Sequence, residues 1–333
     1  MVTLLHWLLL AALLITSFLF AYINGYKDSG AVVATTITAG VLPARRALLL
    51  AALMEFIGPF LFGVAVATTI ATGMVSPEVL TPIALLSALL ASLFWGAFTS
   101  AMGLPSSSSH TLVGGLIGAG LAAGGPQAVR VGGLVKVMIV LFTSPLIGGA
   151  AGYWLLRLVY VLAQDATPRI NRFFRLGQLV SSMTLALVHS TNDAQKAMGL
   201  MTLSLMSMGL LHEFTVPKWV VIASALGIAL GTATAGMRIV RTLGYGVYRV
   251  RSVHGFCAQV SSTLVVLVAA LIGGPVSTTQ VVSSSIMGAG AGERVSRVRW
   301  TIARSIAVAW LVTIPITALI AAGFYLVFGT VSK

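Results

Sequence analysis

The sequence predicts an all-α polytopic membrane protein made of two inverted-topology repeats, with broken helices and re-entrant helical hairpins. Three observations carry this. Of 333 residues, 58% are hydrophobic and only 8% charged, where a soluble domain carries about 25% charged residues. Long and short apolar runs follow one another in the same order twice along the chain. Two polar motifs recur at nearly one offset, the mark of an internal duplication.

Composition sets the solvent. No water-facing fold of this length needs so much apolar side chain, whereas roughly 20 apolar residues span the hydrocarbon of a bilayer. The net charge of +13 is not a nucleic-acid footprint, because the basic residues form short clusters between apolar runs, the positive-inside pattern. The single Cys257 excludes an intramolecular disulfide and offers no metal cluster. Residues 3–22 are strongly apolar, but no Lys or Arg precedes them and no Ala-x-Ala-like site follows. They are expected to be a retained first helix with its N-terminus outside.

The apolar runs fall at about 3–23, 31–42, 47–72, 80–104, 111–123 and 131–160, and again at about 178–191, 197–211, 217–237, 256–273, 280–291 and 300–328. The shortest runs cannot cross alone and are expected to be half-helices or re-entrant segments. We read 3–42 as one broken crossing, 47–72 as a return, 80–123 as a re-entrant pair and 131–160 as a last crossing. The chain then divides into a first transmembrane repeat (1–163), a cytoplasmic basic linker (164–176) and a second repeat (177–333). Ala21 to Asp28 aligns with Ala186 to Asp193, and Pro105-Ser-Ser-Ser-Ser-His110 with Pro275-Val-Ser-Thr-Thr-Gln280. Gly118-Ala-Gly120 repeats as Gly288-Ala-Gly290.

Charge orients the halves. An odd number of crossings per half inverts the second. With the N-terminus outside, Arg45, Arg46, Arg157, Arg169, Arg172, Arg175, Arg238, Arg241, Arg249, Arg251, Arg294, Arg297 and Arg299 lie inside, and only Arg130, Lys218 and Lys333 outside. Lys27, Lys136, Lys196 and Arg304 fall at membrane depth. This bias favours inversion with both termini outside, in the cell membrane. Inverted repeats with interrupted helices are the architecture of secondary transporters.

Asp28, Asp193 and Glu55 lie within membrane segments, where a charge costs at least about 2.5–3.5 kcal/mol and persists only when paired, hydrated or functional. Asp28 and Asp193 hold equivalent places in the repeats, so an inverted fold brings them together near the midplane. Their bland reading is a pair of structural ion pairs, such as Asp28 with Lys196 and Asp193 with Lys27. Glu55 has no acidic counterpart in the second half and is expected to line a cavity or a subunit interface, as a packing or a coupling-ion residue.

Hydroxyl clusters at Ser106–Ser109 and Ser277–Thr279 each follow a Pro and precede a short Gly-rich run, which is a helix-start signal. A half-helix beginning in mid-membrane points free N–H groups and a positive dipole end into the protein. Two such ends facing each other form a cage for a tetrahedral oxyanion; ordinary capping without a ligand is the alternative. A carboxylate beside such a cage suits an anion that shares a proton or travels with a cation, which favours phosphate over sulfate. No G-x-x-x-x-G-K-[ST] signature is present. Hydroxyls repeated at helix starts look like binding groups rather than one activated nucleophile, which argues against an enzyme.

Asn24-Gly-Tyr-Lys-Asp28, Gly103-Leu-Pro-Ser-Ser-Ser-Ser-His-Thr-Leu112, His189-Ser-Thr-Asn-Asp-Ala-Gln-Lys196 and Pro275-Val-Ser-Thr-Thr-Gln280 resemble the inorganic phosphate transporter (PiT) family over nearly the whole chain, most closely its bacterial low-affinity members. The resemblance implies symport of phosphate, or of a metal–phosphate complex, with H⁺ or Na⁺, by a protein that is typically a homodimer. It implies phosphate contacts from Ser107, Ser108, Ser109, Ser277, Thr278 and Thr279, with Asn24 nearby; Lys27 joins them on its charge, not on the resemblance. Asp28 and Asp193 are then the signature aspartates, joined by Asn192 and Glu55 for the coupling ion or proton. His110, Gln280, His189 and Lys196 are expected to support them. No resident cofactor or metal is expected; the partners are phosphate and the bilayer. Two positions depart from the family pattern: Lys27 stands where Asn or His is usual, and Gln280 where His is usual. A fixed ammonium at position 27 replaces a coupling cation or binds phosphate, which points to H⁺ rather than Na⁺. The family also includes sulfate permeases, which leaves sulfate or another oxyanion as the alternative cargo.

Overall fold

The computed structural model describes residues 2–102, 106–235 and 250–331, and these are helical almost throughout. The helices are α1 (Val2–Thr38), α2 (Ala44–Ile57), α3 (Ala65–Thr68), α4 (Pro82–Ala101), α5 (Ser108–Gly124), α6 (Val131–Leu162), α7 (Ile170–Ser207), α8 (Lys218–Ala233), α9 (Ser252–Leu271), α10 (Thr278–Arg294) and α11 (Trp300–Val331). The charge positions Arg238, Arg241, Arg249 and Lys333, and the Gly103–Pro105 part of the first hydroxyl motif, lie outside the described residues.

Among the described residues, five helices are long and apolar enough to cross a bilayer: α1, α4, α6, α9 and α11. Their outer faces carry large exposed apolar side chains, among them Leu146, Trp154, Leu162 and Leu319, as a hydrocarbon solvent allows. Helix α7 is long enough, with 38 residues, but its middle is polar. That stretch, Val188 to Leu205, is buried without interruption. A helix wrapped by other helices needs no apolar surface of its own.

The breaks differ from the sequence expectation. Residues 3–23 and 31–42 do not form a broken crossing: α1 runs through Asn24 and Asp28 without interruption. Likewise 178–191 and 197–211 merge into α7. A helix satisfies its own backbone, so polar side chains interrupt the hydropathy without interrupting the helix. The single return expected at 47–72 is instead bent by 74° between α2 and the segment Ala65–Gly73, after the Gly58-Pro59 pair. Proline removes a backbone donor and ends the regular ladder there. The new start is held from α7: Gln195 Oε1 accepts from the N–H groups of Val66 (2.8 Å) and Ala67 (3.3 Å), while Gln195 Nε2 donates to the Phe62 carbonyl at 3.2 Å.

Packing runs between the two sequence halves. Helix α5 lies along α11, α10 along α6, α1 along α8 and α2 along α7. The Gly-rich helices α5 and α10 therefore each rest on the last long helix of the other half. Glycines allow the approach: a Cβ on Gly118 would land on the Ala318 carbonyl of α11, and one on Gly288 on the Gly149 carbonyl of α6. Small residues at such crossings let backbones meet within a membrane. Helices α6 and α11 also each carry an internal proline, Pro145 and Pro315.

Candidate functional site

The starts of α5 and α10 converge on one carboxylate. Ser108 Oγ donates to Asp28 Oδ2 at 3.1 Å, and Thr279 Oγ1 donates to Asp28 Oδ1 at 2.6 Å. Ser109 Oγ crosses the other way and donates to the Val276 carbonyl at 2.6 Å. Thr278 Oγ1 lies 3.4 Å from Asp193 Oδ1. Aligned hydroxyls thus reach the aspartate of their own half, and the next hydroxyls along cross to the other half. All of these side chains are buried.

The second aspartate closes a chain of charged groups. Lys196 Nζ donates to Asp193 Oδ1 at 2.5 Å and to the Val276 carbonyl at 3.0 Å. His189 stands between two carboxylates, with Nδ1 2.7 Å from Glu55 Oε1 and Nε2 3.4 Å from Asp193 Oδ2. Thr232 on α8 donates to the remaining Glu55 oxygen, Oε2. Glu55 therefore faces the interior, between α2, α7 and α8, and lines neither an open cavity nor an outer surface. The expected lysine pairing is also revised. Lys196 serves the aspartate one turn before it on its own helix, at i,i+3. Lys27 Nζ donates to Ser106 Oγ at 2.9 Å, and Ser106 Oγ is 2.5 Å from Thr99 Oγ1. Both ammonium groups thus reach the aligned positions 106 and 276, one through a side chain and one through a carbonyl.

The two helix starts are not equivalent. Ser107 caps α5: its Oγ accepts from the His110 N–H at 3.1 Å and lies 2.6 Å from His110 Nδ1. Gln280 Nε2 lies 3.4 Å from the same ring. The aligned Ser277 makes no cap at α10, and its buried hydroxyl has no partner among the described residues. Asn192 Nδ2 donates to the Gly274 carbonyl at 3.1 Å, but Asn192 Oδ1 and Asn24 Nδ2 are also without partners. The 3.4 Å contact leaves His189 Nε2 and Asp193 Oδ2 short of a full hydrogen bond. Buried polar atoms are almost always paired, with protein, water or ligand. Five such atoms belong to side chains of the repeated motifs, which makes this the candidate site for a polar ligand.

Asp28, His189 and Asp193 each offer one ligand atom, all within 4.8 Å of one another. These are the described side chains that together suit a small cation, with Lys196 already beside Asp193. The sequence reading did not group them. It also missed Gln195, Thr99 and Thr232. Gln195 lies beside a motif residue, but Thr232 is one hydroxyl in an apolar helix, and no local pattern separates it from a neutral threonine.

Residues 24–321 match the phosphate transporter family. The chain belongs to that family. It is 40% identical over 319 residues to a probable low-affinity inorganic phosphate transporter of Rhizobium meliloti (strain 1021), across 95% of this chain and 96% of that protein. It is 36% identical over 323 residues to a probable low-affinity inorganic phosphate transporter of Bacillus subtilis (strain 168), across 96% and 97% of the two chains. Among solved structures, one described as the sodium-dependent phosphate transporter superposes with a TM-score of 0.87 over 97% of this chain and 99% of that one, at 24% identity. That likeness establishes the fold. Membership of the family makes the protein an integral membrane phosphate transporter and not an enzyme.

Proposed function

We propose that this phosphate transporter is a secondary active symporter of the cell membrane that imports inorganic phosphate with protons, by alternating access around the Asp28–Asp193 site. The observation that carries the reading is the double hold on Asp28 by Ser108 of α5 and Thr279 of α10. Two helix starts from opposite halves meet at one carboxylate, with unpaired polar atoms around them. The starts supply hydroxyls, backbone N–H groups and positive dipole ends for the anion. The carboxylates supply a place for what travels with it. In the cycle, phosphate competes with Asp28 for the hydroxyls of Ser108 and Thr279, and the released Asp28 accepts the coupled proton. A shift of either half then closes one face of the site and opens the other, because α5 and α10 each rest on the opposite half.

Protons are favoured over Na⁺ by the two lysines. Lys196 pairs with Asp193, and Lys27 adds a second buried amine next to Asp28 in sequence, where a monovalent cation would otherwise be needed. His189, between Glu55 and Asp193, provides a path along which a proton shifts. The arginine bias places both termini outside in this reading, with two inverted repeats and a homodimer as the assembled form. A divalent metal travelling with phosphate would meet Asp28, His189 and Asp193.

The test is uptake of labelled phosphate into proteoliposomes under separately imposed H⁺ and Na⁺ gradients. An inward H⁺ gradient should drive accumulation and a Na⁺ gradient alone should not. Accumulation with Na⁺ alone would overturn the coupling, and flux that survives dissipation of every gradient would make the protein a channel. Excess sulfate should not compete; strong competition would turn the reading to a broader oxyanion permease.

A further inference from the structure

Far from the Asp28 site, where α7 begins beside the α1–α2 turn, a cavity of about 490 Å³ is lined by Val41, Asn171, Arg172, Arg175, Leu176 and Leu179. Its two ends differ in chemistry. Arg172, Leu176 and Leu179 follow at i, i+4 and i+7 and so share one face of α7. Arg172 is the outermost, and the leucines descend from it by about 10 Å at the helical rise. Phe173 and Val180 of the same segment are exposed apolar residues beside these arginines, the composition of a segment where headgroups meet hydrocarbon.

The charge here is not neutralised by the protein. Arg45 and Arg46 open α2, while Arg169, Arg172 and Arg175 surround the start of α7. Among the described residues no carboxylate forms an ion pair with any of the five. Arg175 Nη2 donates to the Gly40 carbonyl at 2.8 Å, at the turn where Gly40 takes a φ of 68°. That bond fixes one edge of the guanidinium and leaves its other N–H groups for a ligand. Among the described residues Arg172 has no side-chain hydrogen bond or ion pair.

We propose that this cavity binds one anionic phospholipid, its phosphodiester held by Arg172, Arg175 and Asn171 and an acyl chain laid along Leu176 and Leu179. Free phosphate shares the headgroup chemistry, and arginine forks suit either. The apolar floor decides between them, because a hydrated phosphate gains nothing from two leucines and a valine, whereas an acyl chain does. Basic pockets between membrane helices are suited to such headgroups. The bound lipid would join the α1–α2 turn to the start of α7, outside the transport site.

The experiment compares dioleoyl phosphatidylglycerol with dioleoyl phosphatidylcholine, titrated in mixed micelles against the delipidated full-length protein, with bound lipid counted by native mass spectrometry. Phosphatidylglycerol should bind about tenfold more tightly. Arg172→Gln, which breaks no bond within the protein, should bring it to the phosphatidylcholine level. The charge-matched Arg294→Gln, at the end of α10, should leave it unchanged. Inorganic phosphate at millimolar concentration should fail to displace the lipid. Equal binding of the two lipids, equal loss in both variants, or displacement by inorganic phosphate would each overturn the proposal.

Discussion

Thr279 on α10 donates to Asp28 on α1 at 2.6 Å, a bond between residues 251 positions apart in the chain. Ser108 on α5 holds the other oxygen of the same carboxylate. Removing one donor from a buried carboxylate costs about 1–3 kcal/mol. Thr279→Val, which keeps the shape of the side chain, should therefore cut initial phosphate uptake by roughly tenfold, and Thr279→Ser should restore it. Asp28→Asn and Asp193→Asn should abolish uptake while the purified protein still elutes as one folded species. Normal uptake by both would remove the aspartates from the transport cycle.

Among the described residues Glu55 is joined to the site through His189, with Nδ1 at 2.7 Å on one side and the Asp193 contact on the other. Glu55→Gln keeps the volume but removes the carboxylate that pairs with the ring. Gradient-driven accumulation should collapse, while exchange of labelled against unlabelled phosphate across the membrane continues at a comparable rate. Thr232→Val, which removes one donor from Glu55, should have the same effect in weaker form. Undiminished accumulation by Glu55→Gln would take the chain of charges out of coupling.

The membrane class was legible from composition, and the residues that gather at the site from motif repetition. Asp28, Asp193 and the two hydroxyl runs stand out because polar groups are rare in this chain. Positions of breaks were not legible. Hydropathy drops at Asn24–Asp28 because the side chains are polar, yet α1 continues because a helix satisfies its own backbone. Hydropathy stays high through Gly58-Pro59 and Val64, yet the chain bends there because Gln195, 129 positions from Val66, supplies the acceptor that a free helix start requires. Long-range partners of this kind, like Thr232 for Glu55, leave no local trace.

Gln195 should consequently be a stability residue. Gln195→Leu leaves the Val66 and Ala67 N–H groups without their acceptor in a buried setting, a loss of about 1–3 kcal/mol per group. Thermal unfolding in detergent should show a lower Tm, with Gln195→Glu, which retains the acceptor, less affected. An unchanged Tm for Gln195→Leu would show that the α3 start finds another acceptor.

Gly118 and Gly288 make equivalent close approaches, α5 to α11 and α10 to α6. Each added Cβ meets a backbone carbonyl, which cannot rotate away as a side chain can. Overpacking of this type costs about 1–3 kcal/mol. Gly118→Ala and Gly288→Ala should lower Tm by similar amounts. If the two crossings bear on the same inter-half arrangement, both should also slow uptake, by reducing turnover more than apparent affinity. A penalty at one glycine with none at the other would break the equivalence.

Lys27 gives the sharpest test of coupling. Its buried ammonium lies next to Asp28 in sequence and donates to Ser106 at 2.9 Å. Lys27→Asn removes that charge and leaves the carboxylate pair one positive charge short. A cation from solution is then required to balance the site, so uptake by the variant should become stimulated by Na⁺, while the wild-type protein is indifferent to it. Lys27→Arg, which retains the charge, should stay indifferent. The comparison is initial uptake in sodium chloride against choline chloride, at one pH and with the membrane potential clamped. Equal stimulation of all three proteins by Na⁺ would show that the fixed ammonium does not stand in for a transported cation.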